Sequence, residues 1–285
     1  MKNSFLLIPH LKVHNANALS SNMTIGTPAV TAFLGFVHAI ERKLPQDWSL
    51  HFSKVGICVH KLTVQQYRGI GDDAFSLIGT SNPLDKKGER PSFVEEARCD
   101  LDVSLVIEIP ELIPQELTVW LQQTLQGMKL AGGDIEHVAE ITEVIETNSK
   151  SVEKQLTKKL MPGFWLIDRT DLMKQAMNKG EDAMQALLSY LSIHVNMKKG
   201  SEGNYPTFTK KESGWLIPIV VGFQGLTPAG FAENQRDSTK EHRFAEPVIT
   251  LGEYKMVHRL KSINDVLWAY HYEPETNLYL CQSQI

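Results

Sequence analysis

Apolar and polar positions alternate or recur along this chain with two different periods, and the switches between them outline its elements. Phe5-Leu6-Leu7-Ile8 opens a strand that runs to about Val13. An amide- and hydroxyl-rich stretch, Asn15-Ala16-Asn17-Ala18-Leu19-Ser20-Ser21, reads as a long polar loop. After Pro28 and Thr31, apolar residues at Ala32, Phe33, Phe36, Val37 and Ile40 follow helical spacing up to Pro45. Val55 to Val59, flanked by Leu50 and Phe52, predicts a second strand. Residues 63–95 are a polar excursion punctuated by glycine and proline. Cys99, Leu101, Val103, Leu105 and Ile107 then alternate with Asp100, Asp102, Ser104 and Glu108, the signature of a half-buried strand. Pro114 begins a helix carrying Leu117, Trp120, Leu121, Leu125 and Met128; Gly132-Gly133 ends it, and Ile135 to Ile145 predicts a weaker last strand.

Strand, helix, strand, strand, helix, strand is the βαββαβ order of the ferredoxin-like fold, shared by RRM-like RNA-recognition modules. The expected class is therefore α+β, with a ferredoxin-like core over residues 1–145. Residues 146–285 are expected as a helical and mixed elaboration packed on it. In that second part, Phe164 to Ile167 predicts a short strand and Asp171 to Val195 a mostly helical region. Residues 198–213 read as an exposed linker or loop, and Trp215 to Val221 as a strand held to an edge by Pro218. Ile263 to Tyr272 is expected as a short helix and Leu278 to Leu280 as a closing strand.

Composition narrows the function. Of the 285 residues, 42% are apolar and 22% charged, the balance of a chain that buries a real core. No apolar run approaches the ~18 residues of a membrane span, and no secretion signal is visible. Three cysteines without CxxC spacing (Cys58, Cys99, Cys281) point to a reducing cytoplasm and away from zinc or disulfides. The net charge of −4 is unusual for a free nucleic-acid binder, but it is unevenly spread. Residues 1–63 hold six basic and two acidic side chains, so the remainder, with 23 and 31, carries −8. That polarity suits a subunit with one face for RNA and others for proteins, and equally an uneven solvated surface.

No phosphate-loop, HExxH, GxSxG or GxGxxG motif occurs, so no catalytic residue, metal or cofactor is expected. His14 and His60, each at a strand end, are the one pair able to serve as general base and acid on an RNA 2′-hydroxyl. Strand-end histidines also serve as plain hydrogen-bonding residues. The Asn15–Ser21 stretch presents neutral hydrogen-bonding groups suited to phosphates and bases, although asparagine and serine favour turns and caps for local reasons.

Several blocks in order carry a resemblance. They are Asn15-Ala16-Asn17-Ala18 with Ser20-Ser21; Ala32-Phe33 and Gly35-Phe36-Val37-His38-Ala39; Val55-Gly56-Ile57 with His60; and Asn82-Pro83-Leu84. Val94-Glu95-Glu96-Ala97-Arg98, Val103-Ser104-Leu105, Met128 to Gly133, and Leu160 with Pro162-Gly163-Phe164 follow. Gly214-Trp215-Leu216 with Pro218, Leu251-Gly252-Glu253, His258-Arg259, Leu267-Trp268 and Glu273-Pro274 complete the series. Together they resemble the second subunit of the Csy complex, the type I-F CRISPR RNA-guided surveillance complex of antiviral defence. The resemblance implies a non-catalytic, cytoplasmic subunit of a ribonucleoprotein that holds the 5′ handle of the guide RNA. It implies the large subunit and a neighbouring backbone subunit as partners, and no membrane. RNA contacts are implied at Asn15, Asn17, Ser20, Ser21, His38, His60, Arg98, Lys129, Gly132, Gly133, His258 and Arg259, with residues 63–95 as an extended arm. Lys150, Lys154, Lys158 and Lys159 are candidates for RNA or target DNA, or else a solvated helix face. Two readings from other classes remain: a metal-independent endoribonuclease, and a purely structural adaptor.

Overall fold

A computed structural model describes residues 4–79, 83–92, 96–145, 149–200, 203–235 and 237–283. Asn82 and Val94-Glu95 of the family-like blocks lie outside the described residues. In the first half the elements are β1 (Ser4–Asn17), β2 (Leu19–Ser21), β3 (Thr24–Ile25), α1 (Val30–Glu41), β4 (Lys54–Val64), β5 (Gln66–Tyr67) and β6 (Ser76–Leu77). They continue with β7 (Arg98–Ile109), α2 (Leu117–Thr124), β8 (Lys129–Leu130), β9 (Gly133–His137) and β10 (Thr142–Ile145). The second half holds α3 (Ser149–Leu160), β11 (Phe164–Asp168), α4 (Thr170–Met177), α5 (Ala183–Leu191), β12 (His194–Gly200) and β13 (Gly203–Thr209). It closes with β14 (Trp215–Gly225), β15 (Ala245–Met256), β16 (Leu267–Glu273) and β17 (Leu278–Gln282). The class is mixed α+β: among the described residues, five α-helices accompany one large antiparallel sheet.

At the centre of that sheet the order is β4-β7-β1-β9, with β10 pairing the other end of β1. Period-two alternation sends successive side chains to opposite faces. Leu6, Ile8, Ile57, Val103, Leu105 and Ile107 face a core shared with α1 and α2. Phe5, Leu7, Cys58 and Val106 face a second core, closed by α3 and the turn around Val257. Apart from the β12–β13 pair, the strands of the second half do not form a separate sheet. β16 continues from β4, followed by β17, β14, β15 and β11, and β11 pairs β4 again through Phe164↔Val59 and Trp165↔Cys58. Helix α1 therefore buries Phe33, Phe36, Val37 and Ile40 against the central strands and against Ile219, Val221 and Trp268 of the C-terminal ones. Helices α4 and α5 pack outside on β14 and β15 through Leu172, Ala176, Leu187 and Leu251.

Four expectations change. The stretch 15–21 is not a loop: β1 runs on through Asn17, and Leu19–Ser21 folds back as one arm of a hairpin with β3. Residues 198–213 mostly form the β12–β13 hairpin, where Val195, Met197 and Phe208 on one face and Tyr205 on the other are exposed. Ile263–Val266 is one turn of 3-10 helix, and Leu267 to Tyr272 is strand; aromatic spacing resembled a helix face, but pairing with β17 decided the matter. The single strand expected over 135–145 is two, both on β1. Pro218 lies where β14 is paired with β15 alone, since β17 reaches only Gly222 to Gln224.

Candidate functional site

A cleft of about 450 Å³ opens at the C-terminal end of β1, lined by Asn17, Leu19, Ser20, Pro28, Ala29, Ala32, Glu96, Arg98, Ala131 and Gly132. Four separate segments build it, and backbone bonds lock them together. The Asn17 amide donates to the Ala131 carbonyl, the Ala18 amide to Ala97, and the Gly26 amide to Ala18. Within the hairpin, Asn17 Oδ1 accepts from the Leu19 amide and its Nδ2 donates to the Leu19 carbonyl, both at 3.1 Å. Ser21 is buried and shares Thr24 Oγ1 with Ser20, at 2.7 and 3.1 Å. Part of the amide-hydroxyl stretch thus shapes the cleft wall, leaving Ser20 and the exposed edges of the asparagines to face solvent.

The chemistry of the cleft suits an anion bordered by a flat group. Helix α1 begins there at Ala29 with no side-chain cap; the Ala32 amide turns back to the Ala29 carbonyl at 2.9 Å, so the helix brings to the cleft chiefly the positive end of its dipole. Arg98 crosses the floor as an ion pair with Glu96 at 2.6 Å. At the opposite rim Ala131 and Gly132 both take positive φ, 50° and 77°. A Cβ on Gly132 would meet nothing within 4 Å, so this backbone is open to close approach. Gly133 differs: a Cβ there would lie 2.6 Å from the His14 carbonyl and 2.7 Å from the Ala16 nitrogen. That glycine exists so that β9 can cross β1.

The implied contact residues divide accordingly. Asn17, Ser20, Arg98 and Gly132 share the cleft, and Lys129, ion-paired to Asp134, stands beside it on β8. Asn15 sits at a bulge of β1 with φ 60°, its amide donating to Asp100 Oδ1 at 3.1 Å. Asp100 is held below the usual carboxylate range: partial burial pushes it up, but the Asn15 amide, His14 and Gln65 outweigh this. His38 lies at the far end of α1, in another cleft with Glu41, His51 and Tyr270. His258 and Arg259 are exposed on a 3-10 turn beyond β15, outside the cleft. Glu96, which the sequence offered only within a family-like block, enters the cleft as the partner of Arg98.

His14 and His60 do not pair. His14 Nδ1 bonds Asp100 at 2.8 Å, whereas His60 stacks on His10 with ring centroids 4.1 Å apart. His60 bonds the Pro162 carbonyl through Nδ1 at 2.8 Å and Ser104 Oγ through Nε2 at 2.7 Å. Burial pushes the His60 imidazole down, the Pro162 bond opposes this, His10 adds to the lowering and Asp102 opposes it. His60 also borders a second, aromatic cleft of about 250 Å³ with Gly26, Thr27, Lys61, Trp215 and Tyr254. Among the described residues no helix is long and apolar enough to cross a membrane.

Comparison with known proteins places this geometry in context. The family described as "CRISPR-associated protein (Cas_Csy2)" matches residues 6–281. A curated relative from Pseudomonas aeruginosa (strain UCBPP-PA14), "CRISPR-associated protein Csy2", is 31% identical over 309 residues, covering 97% of this chain and 94% of the relative.

Proposed function

The chain belongs to the Csy2 family of CRISPR-associated proteins, and from that premise we propose that it is a non-catalytic subunit of a type I-F RNA-guided surveillance complex. In this reading it binds the 5′ handle of the guide RNA and pairs with the large subunit, with a backbone subunit as neighbour. The observation that carries it is the cleft where Asn17, Ser20, Arg98, Gly132 and the uncapped N-terminus of α1 converge. Amides and a guanidinium suit phosphate oxygens, and an open glycine admits the ribose-phosphate chain. The order β4-β7-β1-β9, with α1 and α2 as crossovers, supports a ferredoxin-like core over residues 1–145, the remainder being an elaboration that completes the sheet around α1. Burial among partners fits a net-negative RNA binder, which relies on positioned donors more than on bulk charge.

The test is guide retention by the assembled complex. Arg98→Ala removes a charged donor, and guide binding is expected to weaken by about tenfold, corresponding to roughly 1.4 kcal/mol. Glu96→Gln, which releases Arg98 from its carboxylate, is expected to leave binding equal or tighter. Unchanged retention in Arg98→Ala, or weaker retention in Glu96→Gln than in Arg98→Ala, rejects this cleft as the handle site.

A further inference from the structure

Two β-bulges face one another across β7. On β1 the register passes from Ile8↔Leu105 to Leu11↔Val103, so Pro9 and His10 together oppose Ser104. On β4 it passes from Val59↔Val103 to Lys61↔Asp102, leaving His60 as the extra residue. Each bulge therefore inserts a histidine at the same level of the middle strand, where Asp102 and Ser104 alternate onto one face. Bulges re-aim side chains, and His10 pays for its position with φ 45°, a left-handed value that a non-glycine residue adopts at a cost.

We propose that His10, His60 and Asp102 bind a divalent transition metal of the zinc class. One ring nitrogen of each histidine and a carboxylate oxygen of Asp102 lie within 4.8 Å of one another. One contact already joins two members of the group: His10 Nδ1–H donates to Asp102 Oδ1 at 2.8 Å. An ion would replace that proton, with His10 ligating through Nδ1 and Asp102 through a carboxylate oxygen. His60 is oriented from outside the group: its Nδ1–H donates to the Pro162 carbonyl at 2.8 Å, which fixes its tautomer and leaves the Nε2 lone pair for the ion. His60 Nε2 now accepts the Ser104 hydroxyl, which also holds the His10 amide at 2.9 Å. Two imidazoles and one carboxylate select zinc, cobalt or nickel over magnesium or calcium. An ion would part the two rings from their present 29° stack, and would join three adjacent strands to the Pro162 turn. The group is partly open to solvent, with His10 38% and Asp102 22% exposed, so an ion can enter without unfolding.

The experiment is titration of the metal-stripped full chain, purified with its partners if it requires them, with Zn²⁺ by calorimetry and with Co²⁺ by visible absorption. One saturable equivalent is expected, with Co²⁺ showing d–d bands. His10→Asn, which tolerates positive φ, and His60→Gln are expected to weaken binding roughly tenfold or more, and His14→Gln to leave it unchanged. Absence of a saturable site, or titrations of His10→Asn and His60→Gln that match the wild type, overturns the proposal and marks binding as adventitious. Should either variant fail to fold, histidine ring-nitrogen resonances of the wild type decide: Zn²⁺ must shift His10 and His60, and shifts confined to other histidines overturn the site.

Discussion

At the scale of single residues, neighbouring glycines carry different duties. Gly133 is enclosed by the β1 backbone, and Gly133→Ala must separate two strands; a loss of about 1–3 kcal/mol is expected in chemical denaturation. Gly132→Ala meets open space and bears only the cost of an L residue at φ 77°, about 1 kcal/mol. Equal losses would mean that the β9 crossing is looser than described. The histidines show what side-chain alternation conceals. Strand-end positions in the sequence joined His14 to His60, yet one extra residue in β1 and one in β4 brought His10 to His60 instead. A bulge adds one residue and reverses the facing of all that follow; Pro9, which cannot donate to the ladder, was the available sign in β1, and nothing around Lys61 announces the one in β4.

At the scale of elements, strong periodicity was legible and weak periodicity was not. The apolar run of β4, the helical stripe of α1 and the existence of β7 were readable from their own pattern; β7 is half-buried only as far as Asp102, and from Val103 to Ile109 both faces are enclosed, Ser104 and Glu108 included. The β2–β3 hairpin and β16 were not, since each owes its form to partners distant in sequence: Ala97 and Ala131 for the hairpin's root, β4 and β17 for the strand. The stretch Asn15–Ser21 was legible as a supply of hydrogen-bonding groups, but not how many of them the fold itself consumes. Thr24 is the hairpin's hub, satisfying Ser20 and Ser21 from a buried position. Thr24→Val leaves the buried Ser21 oxygen only the Met23 amide, at 3.1 Å, and is expected to cost about 1–2 kcal/mol and to weaken guide retention with it. Full retention in a folded Thr24→Val protein would show that the hairpin does not form the binding wall.

At the scale of the molecule, one sheet unites both halves of the chain, and its interior is dry enough to shift distant titrations. Burial pushes the Cys99 and Cys281 thiols from 9.0 up to about 12, and the Tyr254 phenol from 10.0 to about 12. In the unfolded chain these groups ionise from pH 9 to 10, whereas the fold keeps them neutral. The stability they contribute is therefore whole below pH 9 and drains as pH rises toward 12. Melting temperature is expected to fall more steeply with pH in the wild type than in Cys99→Ala between pH 9 and 11; parallel slopes would contradict this. Under the proposed function, recognition falls to the cleft at the end of β1. The most direct measurement is a crosslink: a photoreactive nucleotide at the 5′ end of the guide, in the assembled complex, mapped by mass spectrometry. The account predicts crosslinks to this chain at residues 15–29, 96–98 and 129–133. Crosslinks to partner subunits alone, or to this chain only around His38 or His258, would contradict it.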